Sequence, residues 1–329
     1  MKFRINLNIL FAAIILCPAL IACSQRIASL IENSESFPFT EIITTEKIEN
    51  LGFNKERYCP AKKDVCISYY YGPPLNKQKL QYSVKFEADG NESIVNLNLN
   101  RDSLEKTFSG TVFLLHGFRA SKEFMLNSAL YFRFLGFQVV VPDLLGHGDS
   151  SGNKKYGVDD SKYINSLFDK LIEEGVIKDE DIYIVGSSMG ALTAAYISNM
   201  RVDISGAILL APMLQFDQAL YNYARVSHPL LSRIIPEKDI RKSATLALKK
   251  SNIDLDQTNI LPLIKSSKVP VLLISSDSDR ISPYSNYKGL NKKNLELIQV
   301  HNRNHLSMTT IGQNEHNAVI KWLNTNSAY

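Results

Sequence analysis

Little in this 329-residue chain points to a metal, a redox centre or a nucleic acid. It has four cysteines and six histidines, with no HExxH segment and no paired CxxC, so the common spacings for protein-held zinc are missing. The formal charge is only +4, and taking away Lys2 and Arg4, which fall in a segment expected to be removed, lowers it to about +2. Such a balance gives no reason to expect a nucleic-acid or acidic-polymer partner. There is no internal repeat, no low-complexity tract, and no apolar run as long as the roughly 20 residues of a spanning helix. What is present is 45% hydrophobic and 9% aromatic residues, enough for a sizeable core in one large domain with an insertion.

The N-terminus carries Lys2 and Arg4, an apolar run from Ile9 to Ile21, and the small residue Ala22 before Cys23. That order reads as an export signal over residues 1–22. Leu20-Ile21-Ala22-Cys23 resembles the lipobox of bacterial lipoproteins, which implies a palmitate-type lipid on Cys23, a membrane anchor, and, with Ser24 following, the outer membrane. A plain cleaved signal or an uncleaved anchor are the alternatives. Cys17 leaves with the signal, so Cys59 and Cys66 remain as a single pair and are expected to form a disulfide in an oxidising compartment. Two free thiols is the other reading.

Residues 23–78 lack sustained periodicity and read as a tether with a disulfide-stapled N-terminal extension packed on the core. From residue 79 the pattern changes. Tyr82–Glu87 and Ser93–Asn100, around Asp89-Gly90-Asn91, predict a hairpin. Thr111–Leu115, Gln138–Val141, Ile182–Val185, Gly206–Leu210 and Pro270–Ser275 are apolar without alternation, as strands buried on both faces are. Helical spacing over Lys122–Leu135, Asp160–Glu174 and Gly190–Met200 separates them. The expected fold is α/β, a mostly parallel doubly wound sheet, with a helical cap inserted at about 214–264.

After the strand Ile182–Val185 comes Gly186-Ser187-Ser188-Met189-Gly190 and then a small-residue helix. A serine on a sharp strand-to-helix turn needs neighbours without bulk two positions either side, so Ser188 is the candidate nucleophile. A plain helix N-cap is the competing reading of Ser188. A hydroxyl needs a base, and His305, in a polar turn beyond the strand Leu295–Val300, comes last in the chain as the order Ser, acid, His requires. His301 is read as structural, without a carboxylate partner; His228 and His316 are read as solvated. The acid that orients the base is Asp279, ahead of Asp277 and, more remotely, Asp217. The backbone amides of Met189 and Phe118 are candidates for an oxyanion hole, and His116 is read as a loop brace.

Leu115-His116-Gly117-Phe118, Pro142–Ser150, Gly186–Gly190, Asp279 and His305, in that order, resemble the α/β-hydrolase superfamily, in particular its branch of monoacylglycerol lipases, lysophospholipases and serine aminopeptidase-like enzymes. The resemblance runs from about Gln81 to the C-terminus and is weakest in the cap. It implies a capped fold, an acyl-enzyme mechanism, no cofactor, and structural roles for Asp143 and His147. Leu145 stands where the family commonly has arginine, which bears on loop packing. The apolar cap residues Phe216, Leu220, Tyr223, Leu230, Leu231, Ile234 and Ile235 either line an acyl pocket or seat the cap. The expected substrate is an ester, a lipid or medium-chain one favoured; a peptidase, a thioesterase, or a catalytically silent envelope lipoprotein are the alternatives. Oligomeric state is not legible.

Overall fold

The computed structural model describes residues 20–37, 43–60, 65–88, 90–179 and 181–327. Most of the expected export signal, and the turn residue Asp89, lie outside these residues. Eight strands form one sheet: β1 (Asn54–Tyr58), β2 (Ile67–Gly72), β5 (Thr111–Leu115), β6 (Gln138–Pro142), β7 (Ile182–Ser187), β8 (Ile204–Leu210), β9 (Val271–Ser276) and β10 (Leu295–Val300), in the order β1-β2-β6-β5-β7-β8-β9-β10. Pairing is parallel from β6 to β10 and antiparallel where β2 meets β6 and β1.

The absence of polar alternation has a direct cause. Phe113 and Leu115 of β5 enter one core with α4 (Asp160–Glu173) and α5 (Met189–Met200), while Val112 and Leu114 enter another with α3 (Leu126–Leu135) and α10 (Gln313–Asn326). Every β5 residue is buried, and each of its four apolar side chains, Val112 to Leu115, contributes roughly 1.5–3 kcal/mol of transfer free energy. α3 stops at Gly136, whose φ of 114° and closeness to Phe108 O, 2.3 Å from where a Cβ would stand, leave no room for a side chain.

The stretch 23–78 packs on the core and adds strands to the main sheet. It holds α1 (Leu20–Glu32) and α2 (Thr45–Asn50), and β2 pairs with β6 through Tyr69, Tyr70 and Tyr71. Tyrosines pack well on a pleated strand, so β2 forms and is largely buried without a long apolar run to announce it. Cys59 and Cys66 are disulfide-bonded between β1 and β2. The hairpin of β3 (Lys79–Ala88) and β4 (Asn91–Asn100) is a two-stranded sheet of its own, paired from Lys79↔Asn100 to Ala88↔Asn91. Between β8 and β9 stand α6 (Phe216–Ser227), α7 (Pro229–Ile234), α8 (Glu237–Lys250) and α9 (Ile260–Ser266). α6 packs on α8 to form the cap, whereas α9 packs on α5 as a flanking helix. α1 lies along α8. Among the described residues no helix is long and apolar enough to cross a membrane.

Candidate active site

Ser188 directly follows β7 with φ 54° and ψ −115°, a conformation that costs a non-glycine residue about 1–3 kcal/mol. The strain is held from both sides: Ser188 N donates to Leu210 O at 3.0 Å, and its carbonyl accepts from Ala191 N and Met213 N at 3.0 and 3.1 Å. A Cβ at Gly186 would stand 2.2 Å from Gly190 O, and one at Gly190 2.2 Å from Leu115 O. The two glycines are therefore demanded by contact, and the turn leaves the Ser188 hydroxyl projecting beyond the sheet.

His305 lies just beyond β10 and directs Nε2 to Ser188 Oγ at 2.9 Å, while its Nδ1 meets Asp279 Oδ2 at 2.8 Å. Asp279, after β9, is buried, and its other oxygen accepts from Ile281 N and Ser282 N, both at 2.8 Å. With a carboxylate as acceptor, Nδ1 carries the proton and Nε2 is left to accept from the hydroxyl. The structure thus brings together Ser188, His305 and Asp279, three residues far apart in the chain.

The competing acids and histidines fall elsewhere. Asp277 is exposed and pairs with His301 Nδ1, so His301 does have a carboxylate partner, contrary to the sequence reading, because adjacent loops after β9 and β10 bring the two together. Asp217 pairs with Arg241 at 3.0 Å in the cap. His228 and His316 are half-buried rather than solvated: His228 borders the central cavity beside Tyr223, and His316 meets the Tyr131 hydroxyl at 3.0 Å.

Unforeseen from sequence is what holds His305. Arg303 Nη1 pairs with Glu315 Oε1 at 2.8 Å, both buried, and Arg303 Nη2 donates to Ser307 O and Thr310 O at 2.5 and 2.6 Å. Burial pulls the Arg303 guanidinium below its usual range, and Glu315 works against that. Asn304 donates to Phe86 O and Asn91 O at 3.2 and 3.1 Å and accepts from Ser307 N at 2.9 Å. The β3–β4 hairpin is therefore a clamp on the histidine loop.

The His116-Gly117-Phe118 loop passes over Ser188, since a Cβ on Gly117 would come within 3.2 Å of Ser188 Cβ. His116 Nδ1 donates to Gly117 O at 2.8 Å and Nε2 accepts from Leu144 N at 2.9 Å. Burial pushes its pKa down to about 4, so it braces the loop as a neutral ring. His147, likewise lowered by burial, donates from Nδ1 to Leu145 O at 2.9 Å. Phe118 is wedged against His147, Tyr156 and Phe216, and Met189 begins α5 directly after Ser188. Below the loop, the buried Lys122 amine reaches Asp143 Oδ2 and Asp149 Oδ2 at 2.6 and 2.7 Å. Leu145 is buried in the apolar core, its amide donating to Asp160 Oδ1 at 2.9 Å.

A cavity of about 750 Å³ opens above Ser188 and His305. Phe216, Leu220, Tyr223, Leu231 and Ile235 of the cap region line it, but Leu230 and Ile234 do not: they point outward, 68% and 77% exposed. Ile27, Leu30 and Ile31 of α1 and Phe37 form a further wall. Apolar spacing at 27, 30 and 31 was the available signal, masked by its position beside the export signal. The same segment grips the Phe118 loop, Phe37 N donating to Arg119 O at 2.9 Å and Arg119 Nε to Glu35 O at 3.1 Å. Among the described residues, no three or more His, Cys, Asp or Glu gather as metal ligands.

Residues 106–259 match the family described as serine aminopeptidase, S33, a span that holds Ser188 and the cap but stops short of Asp279 and His305. No curated protein matches the chain in sequence. Among solved structures, an esterase from Pyrococcus furiosus superposes with a TM-score of 0.59 at 18% identity, over 87% of this chain and 96% of that one. A membrane phospholipase A described as a bacterial virulence factor gives 0.54 at 16%, over 93% and 92%. A provisionally named lipase from Acinetobacter baumannii gives 0.54 at 16%, over 95% and 99%. At such identities the likeness is one of fold. With the sheet order and these superpositions in agreement, the chain has the α/β-hydrolase fold, and its residues 106–259 are similar to the serine aminopeptidase, S33, family.

Proposed function

We propose that the chain is a serine hydrolase that cleaves carboxylic esters of lipid or medium-chain acyl groups through an acyl-enzyme. The observation that carries this reading is the relay from Asp279 through His305 to Ser188, at 2.8 and 2.9 Å, beneath an apolar cavity. Ser188 Oγ attacks the ester carbonyl carbon as its proton passes to His305 Nε2, and the imidazolium is stabilised by Asp279. The amides of Met189 and Phe118 hold the oxyanion. Collapse breaks the carbon–oxygen bond of the leaving alcohol, which takes the proton from Nε2. Water, deprotonated by the same nitrogen, then releases the acid.

The named activities of the neighbours, an esterase and a phospholipase A, support an ester substrate. The family description raises peptides with a free amino terminus as a second substrate class. The carboxylates bordering the cavity at the hairpin, Glu87 and Glu92, are however both engaged by Lys85 at 3.2 and 2.5 Å, so an apolar acyl group fits better than an ammonium group. A panel of acyl esters, thioesters and amides separates these substrates. A fluorophosphonate should label the folded protein, with labelling lost in Ser188→Ala; no labelling, or equal labelling of the variant, would sink the hydrolase reading.

We also read Cys23 as the lipidated residue of an envelope protein, facing the periplasm or the cell surface. Removal of residues 1–22 would make it the first residue of α1. Incorporation of a palmitate analogue should vanish in Cys23→Ala, and its persistence would refute lipidation there.

A further inference from the structure

The wall of the central cavity holds one charge that nothing among the described residues neutralises. Of the residues bordering the cavity, only Glu87, Glu92 and Arg119 are acids or strong bases. Lys85 takes both carboxylates, at 3.2 and 2.5 Å. Arg119 pairs with no described carboxylate. Its Nε donates to Glu35 O at 3.1 Å and its guanidinium carbon lies 4.6 Å from the centre of the Phe37 ring, while Nη1 and Nη2 meet no acceptor among the described residues. Glu32, the last residue of α1, is turned to Lys250 at 2.8 Å.

These contacts hold a fork of donors in place. The Phe37 ring fixes the plane of the guanidinium and Glu35 O fixes its rotation, so the edge formed by Nη1 and Nη2 keeps its donors for a planar oxyanion such as a phosphate or a carboxylate. Arg119 stands at φ 59°, in the left-handed region that non-glycine residues hold only where the surroundings fix them. It directly follows Phe118, whose amide is assigned to the oxyanion hole. Lys154 adds to the positive field, since its amine meets the carbonyl oxygens of Glu32 and Ser34 at 3.0 and 2.6 Å and no described carboxylate. Burial first, and the Arg119 charge second, lower the pKa of Lys154 and that of His228, which borders the cavity. The Arg119 charge is therefore felt at the cavity wall.

We propose that Arg119 sets substrate choice by holding an anionic group, a phosphate or a carboxylate, on the ester presented to Ser188. Because the acyl group read for this site is apolar, the anion belongs to the alcohol. Cleavage of that ester rests on the Ser188 reading; the binding of the anion does not. Two pairs of soluble short-chain esters test the proposal on the full chain: butanoyl glycerol phosphate against butanoyl glycerol for a phosphate, and butanoyl glycolate against its amide for a carboxylate. In at least one pair, the ratio of kcat/KM for the charged over the neutral ester should fall about tenfold in Arg119→Gln. It should fall less in Arg119→Lys, which keeps the charge and loses only the fork. The pair that responds identifies the anion. In calorimetric titration of the uncleavable ether analogues of the two charged esters, Kd for that anion should likewise rise about tenfold in Arg119→Gln. A residue that only pins Glu35 and Phe37 would lower both members of each pair alike, so unchanged ratios and unchanged Kd for both anions would overturn the proposal. Binding that depends on Arg119, with no turnover of any ester, would uphold the anion site and overturn only the reading of Ser188.

Discussion

Asp279 divides its oxygens between two tasks: one accepts two backbone amides and the other faces His305. The carboxylate is thereby unable to rotate, and it selects the imidazole tautomer that can accept from Ser188. Asp279→Asn keeps the shape but offers an amide donor toward Nδ1, so kcat should fall by roughly 10³–10⁴ with little change in KM and an unchanged circular dichroism spectrum. A loss below tenfold would mean that the acid is not what orients His305. Arg303 is a second residue whose value is positional. Arg303→Met leaves Glu315 buried without its partner and should destabilise the fold by about 3–5 kcal/mol in urea titration; a change under about 1 kcal/mol would show that Glu315 finds water instead.

Among elements, α1 both packs on the core and borders the cavity. Its Ala28 and Ile31 pack into the main core, Ile27 and Leu30 border the cavity, and Glu32 O and Ser34 O accept from the Lys154 amine at 3.0 and 2.6 Å. A helix so fixed can set the depth available to an acyl chain. Leu30→Trp adds bulk there, and the ratio of long-chain to short-chain kcat/KM should fall by about tenfold. An unaltered chain-length profile in steady-state assays would place the acyl group elsewhere. The β3–β4 hairpin has a parallel part on the other side of the cavity: through Asn304 it ties an isolated two-stranded sheet to the loop that carries His305.

Across the whole molecule, buried ionisable groups make stability depend on pH with opposed signs. His116, held down at about 4 against an ordinary 6.5, contributes stability that is complete above about pH 6.5 and is lost as pH falls through 4. Asp160, raised by burial to about 6, contributes below its ordinary 3.8 and loses that contribution as pH rises through 6. Between pH 7 and 5 the His116 share is on the order of 2 kcal/mol. His116→Gln should therefore flatten the acid loss of urea-unfolding stability relative to wild type; parallel pH profiles would show that His116 is not the group responsible. The motif sequence and the strand runs around it were legible because a strained elbow admits only glycine at 186 and 190, and because strands buried on both faces need apolar residues at every position. β1 and β2 were not, since the polar edge strand β1 and the tyrosine-rich β2 beside it carry neither a regular alternation nor an apolar run. By itself, the sequence determined the parallel part of the sheet and the glycine-flanked turn at Ser188, both set by local sterics and burial, and the order of Ser188, Asp279 and His305 along the chain. Only the tertiary structure decided which acid reaches His305, what braces its loop, that α1 walls the cavity, and which cap residues turn away from it, because each depends on how separate segments meet in space.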